Sequence, residues 1–335
     1  MVNRKFTRWC TWILILVGIL LGISLLSLCL GSANIPIKNI VPLIRDGKGT
    51  AEYSIIFNIR FPRIVLGFAV GGALSLAGVI LQGMFKNPLV EPYTLGISGG
   101  AALGVCLNIV LGLNRKIGFF SIPAFGFFGA ALIILFVYSL SIKGGRLKIH
   151  TLLLTGVMVS FISSSLIMLI MAVSRVENLH GIIFWVMGSL EEPNWSFIKL
   201  VLAVSISGLI ISYLFCLPLN AFSLGEEEAL HLGINVEKTK KLLFILASVL
   251  TGLSVSVAGI IGFVGLVVPH FVRLFMGRDH RILLVGSFLS GAAFLILCDT
   301  LARTIISPLE LPVGVITGIL GGALFVYALS KKQIV

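Results

Sequence analysis

Charged side chains are scarce in this sequence, and acidic ones scarcer still. Only 11% of the 335 residues are charged, with 13 acids against 25 bases. A soluble domain carries about a quarter charged residues, so a chain with mean hydropathy +1.11 has too little polar surface to face water. Cysteine is sparse too. Cys10, Cys29, Cys106, Cys216 and Cys298 are scattered, form no CxxC pair and lie mostly inside apolar runs, which indicates neither a zinc site nor a disulfide framework. No GxxxxGK[ST] stretch occurs. In "GKGT" at 47–50 a glycine follows the lysine, so the chain lacks the phosphate loop with which to hydrolyse ATP. The net charge of +12 invites a nucleic-acid reading. Basic loops on the inner side of a membrane protein account for it without one.

What the chain has in abundance is apolar runs of about 20 residues, the length that crosses ~30 Å of hydrocarbon. Candidate helices fall near 10–31, 61–83, 93–113, 120–142, 150–172, 196–217, 240–260, 261–277, 281–303 and 312–330. The expected fold is an all-α polytopic membrane protein with about ten transmembrane helices, one domain over 1–335. The division between the seventh and eighth helices is the least defined, because "VAGIIGFVGLVVPHFVRLFMG" is nearly continuous. The run from Trp12 to Leu30 is too long for a signal peptide, and bulky Leu28 before Cys29 disfavours lipoprotein cleavage. It reads as a retained first helix with Trp9 and Trp12 at headgroup level. Lys5, Arg8, Lys86, Lys148, Lys238, Lys240, Lys241, Arg273, Arg278 and Arg281 then fall on one side. By the positive-inside tendency that side is cytoplasmic and holds both termini.

Two segments echo each other at a fixed offset. Gly71, Ser75, Ala77, Gly78 and Pro88 match Gly252, Ser256, Ala258, Gly259 and Pro269. The two helices run in opposite directions in this topology, as in inverted-repeat transporters. Their small residues at i, i+4 and i+7 make faces for close helix packing.

The least expected stretch is "FSLGEEEALHLGINVEK" at 222–238, with three consecutive glutamates in so apolar a chain. Ser223 and Glu226 have capping-box spacing, and Glu226–Glu228 sit where a helix dipole favours negative charge. Gly233 supplies a left-handed stop and Asn235 a new cap. The segment thus reads as a short helix, a sharp turn and a second helix start. A helix of roughly nine residues is not stable alone, so Leu230, Leu232 and Ile234 must pack either under the bundle or against a partner. Glu227 and His231 alone make no metal site.

At the other side "IRFPR" places Arg60 and Arg63 at the outer mouth with Arg303, against the positive-inside tendency. Taken by themselves they would snorkel to lipid headgroups. Asp299 and Arg303 have i, i+4 pairing spacing, and His270 after Pro269 suits a carbonyl cap. The fifth run carries Thr155, Ser160, Ser163, Ser164 and Ser165, which serve either helix–helix hydrogen bonding or a polar path. Ionisable groups at mid-membrane are too few for a gradient-driven carrier, and no nucleophile motif accompanies His270 and Asp299 to suggest an intramembrane enzyme.

"IRFPRIVLGFAVGGALSLAGVILQGMFKNPLVEPYTLGISGGAALG" at 59–104, "WVMGSL" at 185–190, "LGEEEALHLGI" at 224–234, "AGIIGFVGLVVPHFVRLFMGRDHRILLVGSFLSGAAFLILCDTLAR" at 258–303 and "ELPVGVITGILGGALFVYAL" at 310–329 resemble the FecCD-type permeases. These are the membrane subunits of ABC importers for ferric siderophores, haem and cobalamin. The resemblance implies the permease domain of a type II importer, with two permease subunits around one path, here a homodimer. It implies a cytoplasmic ATPase on each, which uses ATP and Mg, and an extracytoplasmic binding protein. No cofactor or metal is implied on this chain. Segment 222–238 becomes the coupling helices, with Ser223, Leu224, Gly225, Glu226, Glu227, Ala229, Leu230 and Gly233 facing the ATPase. Arg60, Arg63 and Arg303 would take binding-protein carboxylates. The path would be lined by spans five and ten, including Thr155, Met158, Ser160, Ser163, Met168, Gly314 and Gly318, with a gate near His150 and Thr151. A ferric siderophore leads as cargo, with haem and cobalamin as alternatives and an oxyanion such as molybdate behind them.

Overall fold

The computed structural model describes residues 2–31, 33, 35–192 and 194–330. Thirteen helices carry the description, numbered in chain order. They are α1 (Val2–Cys29), α2 (Ala51–Phe85), α3 (Ile97–Val110), α4 (Ser121–Ser141), α5 (Ile149–Val173), α6 (Val176–Met187) and α7 (Trp195–Leu214). They continue as α8 (Cys216–Leu224), α9 (Glu226–His231), α10 (Val236–Ala258), α11 (Val264–Met276), α12 (His280–Thr304) and α13 (Val313–Ser330). Eight are long and apolar enough to cross a membrane, and α3, α6 and α11 are shorter apolar helices. The ten expected spans correspond to those eight plus α3 and α11. Helix α6 lay unassigned between two expected spans.

The packing is organised around α2, the span most enclosed by the rest, 89% of whose apolar window is buried. Its neighbours are α12, α10, α7 and α11. Such all-round burial needs close approaches, and glycines provide them. Gly71 and Gly291 each stand at the other's carbonyl oxygen, and a side chain on Gly78 would collide with the carbonyl of Gly265. The echo between Gly78 and Gly259 is therefore not structural. Helix α2 continues through Gly78, whereas Gly259 has φ +70° and ends α10. That glycine settles the boundary between the seventh and eighth spans.

The third expected span is shorter than its apolar run. Pro88, Pro92 and Gly96 (φ +85°) break residues 86–96 into an irregular segment and a single tight turn, Pro92–Leu95, before α3 begins. This segment folds back into the bundle, where unpaired backbone groups are costly. The Gln82 Nε2 amide meets the carbonyls of Val90, Gly265 and Leu266 at 3.3, 3.2 and 3.3 Å. Between α4 and α5 the chain turns through a minimal hairpin, Ile142 paired with Leu147 and Lys143 with Arg146. Gly144 and Gly145, both at positive φ, form the two-residue turn that such a hairpin favours.

Helix α1 lies at the periphery with only 11% of its window buried. It leans on α12 through Leu20. Near its start Arg281 sits 5.5 Å from the Trp9 ring and Lys5 5.1 Å, the arrangement of aromatic and basic residues found at headgroup depth.

Gly78→Val is expected to cost about 1–3 kcal/mol through overpacking and to lower the melting temperature of purified protein. Gly252→Ala, whose new methyl would find its nearest neighbour at 3.7 Å, is expected to be neutral or slightly stabilising. Equal melting temperatures for both variants would contradict the role given to the α2 contacts.

Candidate functional site

Helix α8 runs through Ser223, whose Oγ donates to the Leu219 carbonyl at 3.2 Å. Ser223 is thus in the last turn of one helix rather than the cap of the next, and the expected capping box does not form. Gly225 occupies the N-cap position of α9, and Glu226 instead reaches the Lys240 ammonium at 2.6 Å. Lys240 is 2% exposed, so Glu226 supplies the counter-charge that lets a lysine lie buried in α10. The far end of α9 follows expectation. Gly233 has φ +80°, its N–H donates to Leu230 O at 2.9 Å, and Ile234 N–H donates to Ala229 O at 3.0 Å. This is the paired bonding of a Schellman stop. Asn235 caps α10 by accepting the Lys238 N–H at 3.0 Å.

The apolar side chains answer the question that the sequence left open. Ala229 is fully buried and anchors α9. Leu230 and Leu232 are 58% and 64% exposed, and Leu224 projects as well. These leucines do not pack under the bundle. A rigid, capped hairpin therefore presents a small apolar surface flanked by Glu227 and Glu228.

The hairpin is wired to the segment before α5. Glu237 accepts the Leu147 N–H at 3.1 Å. A cavity of about 690 Å³ between the two is lined by His150, Glu226, Leu230, Glu237 and Lys240. His150 is exposed and Thr151 half-buried at the start of α5. The hairpin is therefore tied by a direct hydrogen bond to the chain that leads into the helix expected to carry the gate.

The three arginines gather at the opposite end, with different tasks. Arg60 is buried and donates to the carbonyls of Leu28 (2.6 Å), Cys29 (3.1 Å) and Ala33. It caps the C-terminus of α1, where a cation suits the helix dipole. Arg303 pairs with Asp299 at 2.9 Å and donates to Ser27 Oγ at 2.8 Å. Both spend their donors inside the chain, which departs from the expectation that all three reach a partner directly. Arg63 differs. It meets Glu310 at 2.6 Å and Glu191 at 3.5 Å, while its Nε and Nη1 have no hydrogen-bond partner among the described residues. With Glu191, Glu310, Asp299 and Arg303 it lines a cavity of about 330 Å³.

The expected path residues divide. Met158 and Met168 are exposed on α5, as are Ser164 and Ser165. Thr155 is half-buried. Ser160 donates within its own helix to Gly156 O at 2.9 Å, and Ser163 is buried beside Gly99. On α13, Gly314 packs against the carbonyls of Met187 and Ile260, whereas Gly318 has open space. Helices α5 and α13 have only 17% and 28% of their windows buried.

Residues that the sequence reading passed over complete the picture. Glu91 accepts the N–H of Phe263 at 2.6 Å and holds that residue at φ +69°, where a non-glycine costs roughly 1–2 kcal/mol. The Phe263 side chain then rests against Gly321 and Gly322 of α13. Glu91 and Gln82 each interrupt an apolar run, and that was their available signal. Lys240, Glu191 and Glu310 carried none, because their partners are distant in sequence.

A double-mutant cycle on Glu226→Gln and Lys240→Met is expected to give a coupling energy of about 1 kcal/mol in thermal unfolding, limited by water at the half-exposed carboxylate. Glu226→Gln alone is expected to speed proteolysis of the hairpin. Additive effects would show that the pair does not hold it.

Comparison with known proteins bears on this arrangement. The FecCD transport family profile matches residues 15–331. An uncharacterized ABC transporter permease of Bacillus subtilis strain 168 is 41% identical over 95% of this chain and 91% of its own length. A hemin transport system permease of Yersinia pestis is 38% identical over 95% and 96%. A cobalamin import system permease of Halobacterium salinarum is 40% identical over 84% and 74%. Among solved structures, an inward-facing one described as a metal-chelate type ABC transporter superposes with TM-score 0.83 at 29% identity. It covers 96% of this chain and 99% of its own. The chain belongs to the FecCD transport family: it is a multi-pass ABC importer permease, not an enzyme, and its ATPase is a separate subunit.

Proposed function

We propose that this permease carries a metal chelate, with a ferric siderophore as the leading cargo, from an extracytoplasmic binding protein into the cytoplasm. Haem and cobalamin are the runner-up cargoes, since relatives at similar identity are described as hemin and cobalamin permeases. In this reading both termini and the 222–238 hairpin face the cytoplasm, and two copies of the chain form one transporter. The bare faces of α5 and α13 support the pairing. Exposed Ser164 and Ser165 beside Met168 suit a subunit interface or wet path better than lipid. Soft methionine walls also suit a bulky chelate handed over whole.

One observation carries the mechanism: the outward-pointing Leu224, Leu230 and Leu232 on a hairpin that its caps make rigid. Such a surface needs a partner, and the partner that supplies energy is the ATPase, which binds ATP and Mg on its own chain. Closure of that ATPase would push the hairpin, and through Glu237 and Leu147 the push reaches α5. At the outer mouth Arg63 is the direct docking residue, with Arg60 and Arg303 fixing the helices around it. A binding-protein carboxylate would compete with Glu310 for its guanidinium, a group suited to bidentate capture.

Leu230→Asp with Leu232→Asp is expected to abolish co-purification of the ATPase while leaving the permease folded by size exclusion; retained co-purification would refute the coupling role. Arg63→Gln is expected to weaken binding-protein docking at least tenfold and, because it strips Glu310 of a buried partner, to lower the melting temperature as well. Arg60→Gln is expected to lower the melting temperature while leaving docking affinity unchanged, and unchanged docking in Arg63→Gln would remove that residue from the interface.

A further inference from the structure

On the same end of the bundle as the hairpin, α2, α11 and the start of α12 enclose a cavity of about 520 Å³. Lys86, Arg273 and Arg278 line it, with Asn87 and the rings of His270 and His280. No carboxylate among the described residues lines it. The nearest in sequence, Asp279, is committed elsewhere. It accepts from Arg281 at 3.1 and 3.0 Å and from Asn220 at 3.0 Å, and meets Lys5 at 3.5 Å.

The cavity is built rather than incidental. Arg273 is steered by a bond to Gln82 Oε1 at 3.0 Å, and the same Gln82 is fixed through its other atom to three backbone carbonyls. His280 is oriented by Asn220, whose Oδ1 lies 2.8 Å from its Nδ1, and Gly83 leaves room for the far side of the ring. Both histidines are 4% exposed, yet the Nε2 of each has no hydrogen-bond partner among the described residues. A buried polar atom without a partner costs about 1–3 kcal/mol. Converging cations around a recess concentrate anions. The volume is that of a small-molecule or headgroup site, too small for a protein element.

We propose that this cavity binds a phosphate group. Guanidinium and ammonium donors together match a tetrahedral oxyanion, and the Nε2–H tautomer of His270 can donate to a remaining oxygen, while His280, whose Nδ1–H donates to Asn220 Oδ1, shapes the wall. The phosphate comes from the headgroup of an anionic phospholipid or from a free phosphate compound. The lipid source is favoured by position. Trp9, Lys5 and Arg281, which mark headgroup depth, stand beside Asp279 at the cavity's edge. Basic recesses between helices on this face are suited to such lipids. Ser223, in the turn before the coupling hairpin, lines the same cavity, so an occupant sits next to the joint that moves.

The test uses the full permease in neutral detergent. The binding variant is Lys86→Asn with Arg278→Gln, both at exposed positions; asparagine suits the left-handed backbone at Lys86 (φ +50°). Native mass spectrometry with added phosphatidylglycerol or phosphatidylcholine forms one arm. Melting temperature titrated with inorganic phosphate at constant ionic strength forms the other. Retention of phosphatidylglycerol over phosphatidylcholine, reduced at least tenfold in the variant, supports the site with a lipid source. A phosphate-dependent melting shift lost in the variant, without selective lipid retention, supports it with a soluble source. Equal retention of both lipids with no phosphate shift overturns it. So does either signal if it survives in the variant. Loss of only ATPase co-purification overturns it as well, because carboxylates of the partner protein would then fill the recess.

Discussion

The fold depends on one helix being surrounded by protein. Helix α2 runs through the bundle with little lipid contact, and lipid offers no hydrophobic force to gather helices around it. What gathers them is contact at backbone range. Gly71 meets Gly291 and Gly78 meets Gly265, which brings α12 and α11 as close as chains can come. Once α2, α11 and α12 are locked, the arginine cluster and the basic recess are both defined, because they lie at opposite ends of the bundle that the trio holds together. Of the other long helices, α1, α4, α5, α7 and α13 keep most of their apolar windows uncovered, as expected of elements that face lipid or a second subunit.

A tightly packed core in hydrocarbon pays for every break in a helix through unsatisfied backbone groups, and this chain answers three of its breaks with a long polar side chain. Gln82 serves the irregular segment before α3. Glu91 serves the start of α11, and Arg60 serves the end of α1. Polar residues that look functional in an apolar sequence thus divide into two kinds. Arg60 and Arg303 bond backbone carbonyls, Ser27 and Asp299, whereas Arg63, likewise buried, keeps two guanidinium nitrogens without a partner among the described residues. Under the proposed docking role, that difference sets Arg63 apart from the two arginines that hold helix ends.

Much of this was legible beforehand, for specific reasons. Apolar runs located the spans because the hydrocarbon thickness sets their length. Gly233 and Asn235 announced the hairpin because left-handed stops and side-chain caps are local chemistry. The capping box at Ser223 failed because α8 continues further than its residues suggest, leaving Glu226 free for Lys240. The third span was overdrawn because Pro88, Pro92 and Gly96 interrupt a run whose hydropathy stays high. The burial of Arg60 and the pairs Arg63–Glu310 and Glu226–Lys240 join residues far apart in the chain, and only the packed structure brings them together.

In the proposed mechanism, the hairpin between α8 and α10 is where the chain receives energy from its separate ATPase. Its exposed leucines are either an ATPase seat or merely solvated surface, and accessibility distinguishes the two. In a variant lacking the native cysteines, a single cysteine at position 230 can be probed with a membrane-impermeant maleimide. The account predicts labelling in inverted vesicles, none in intact cells, and protection when the ATPase subunit is bound. Labelling from the cell exterior, or undiminished labelling in the presence of bound ATPase, would contradict it.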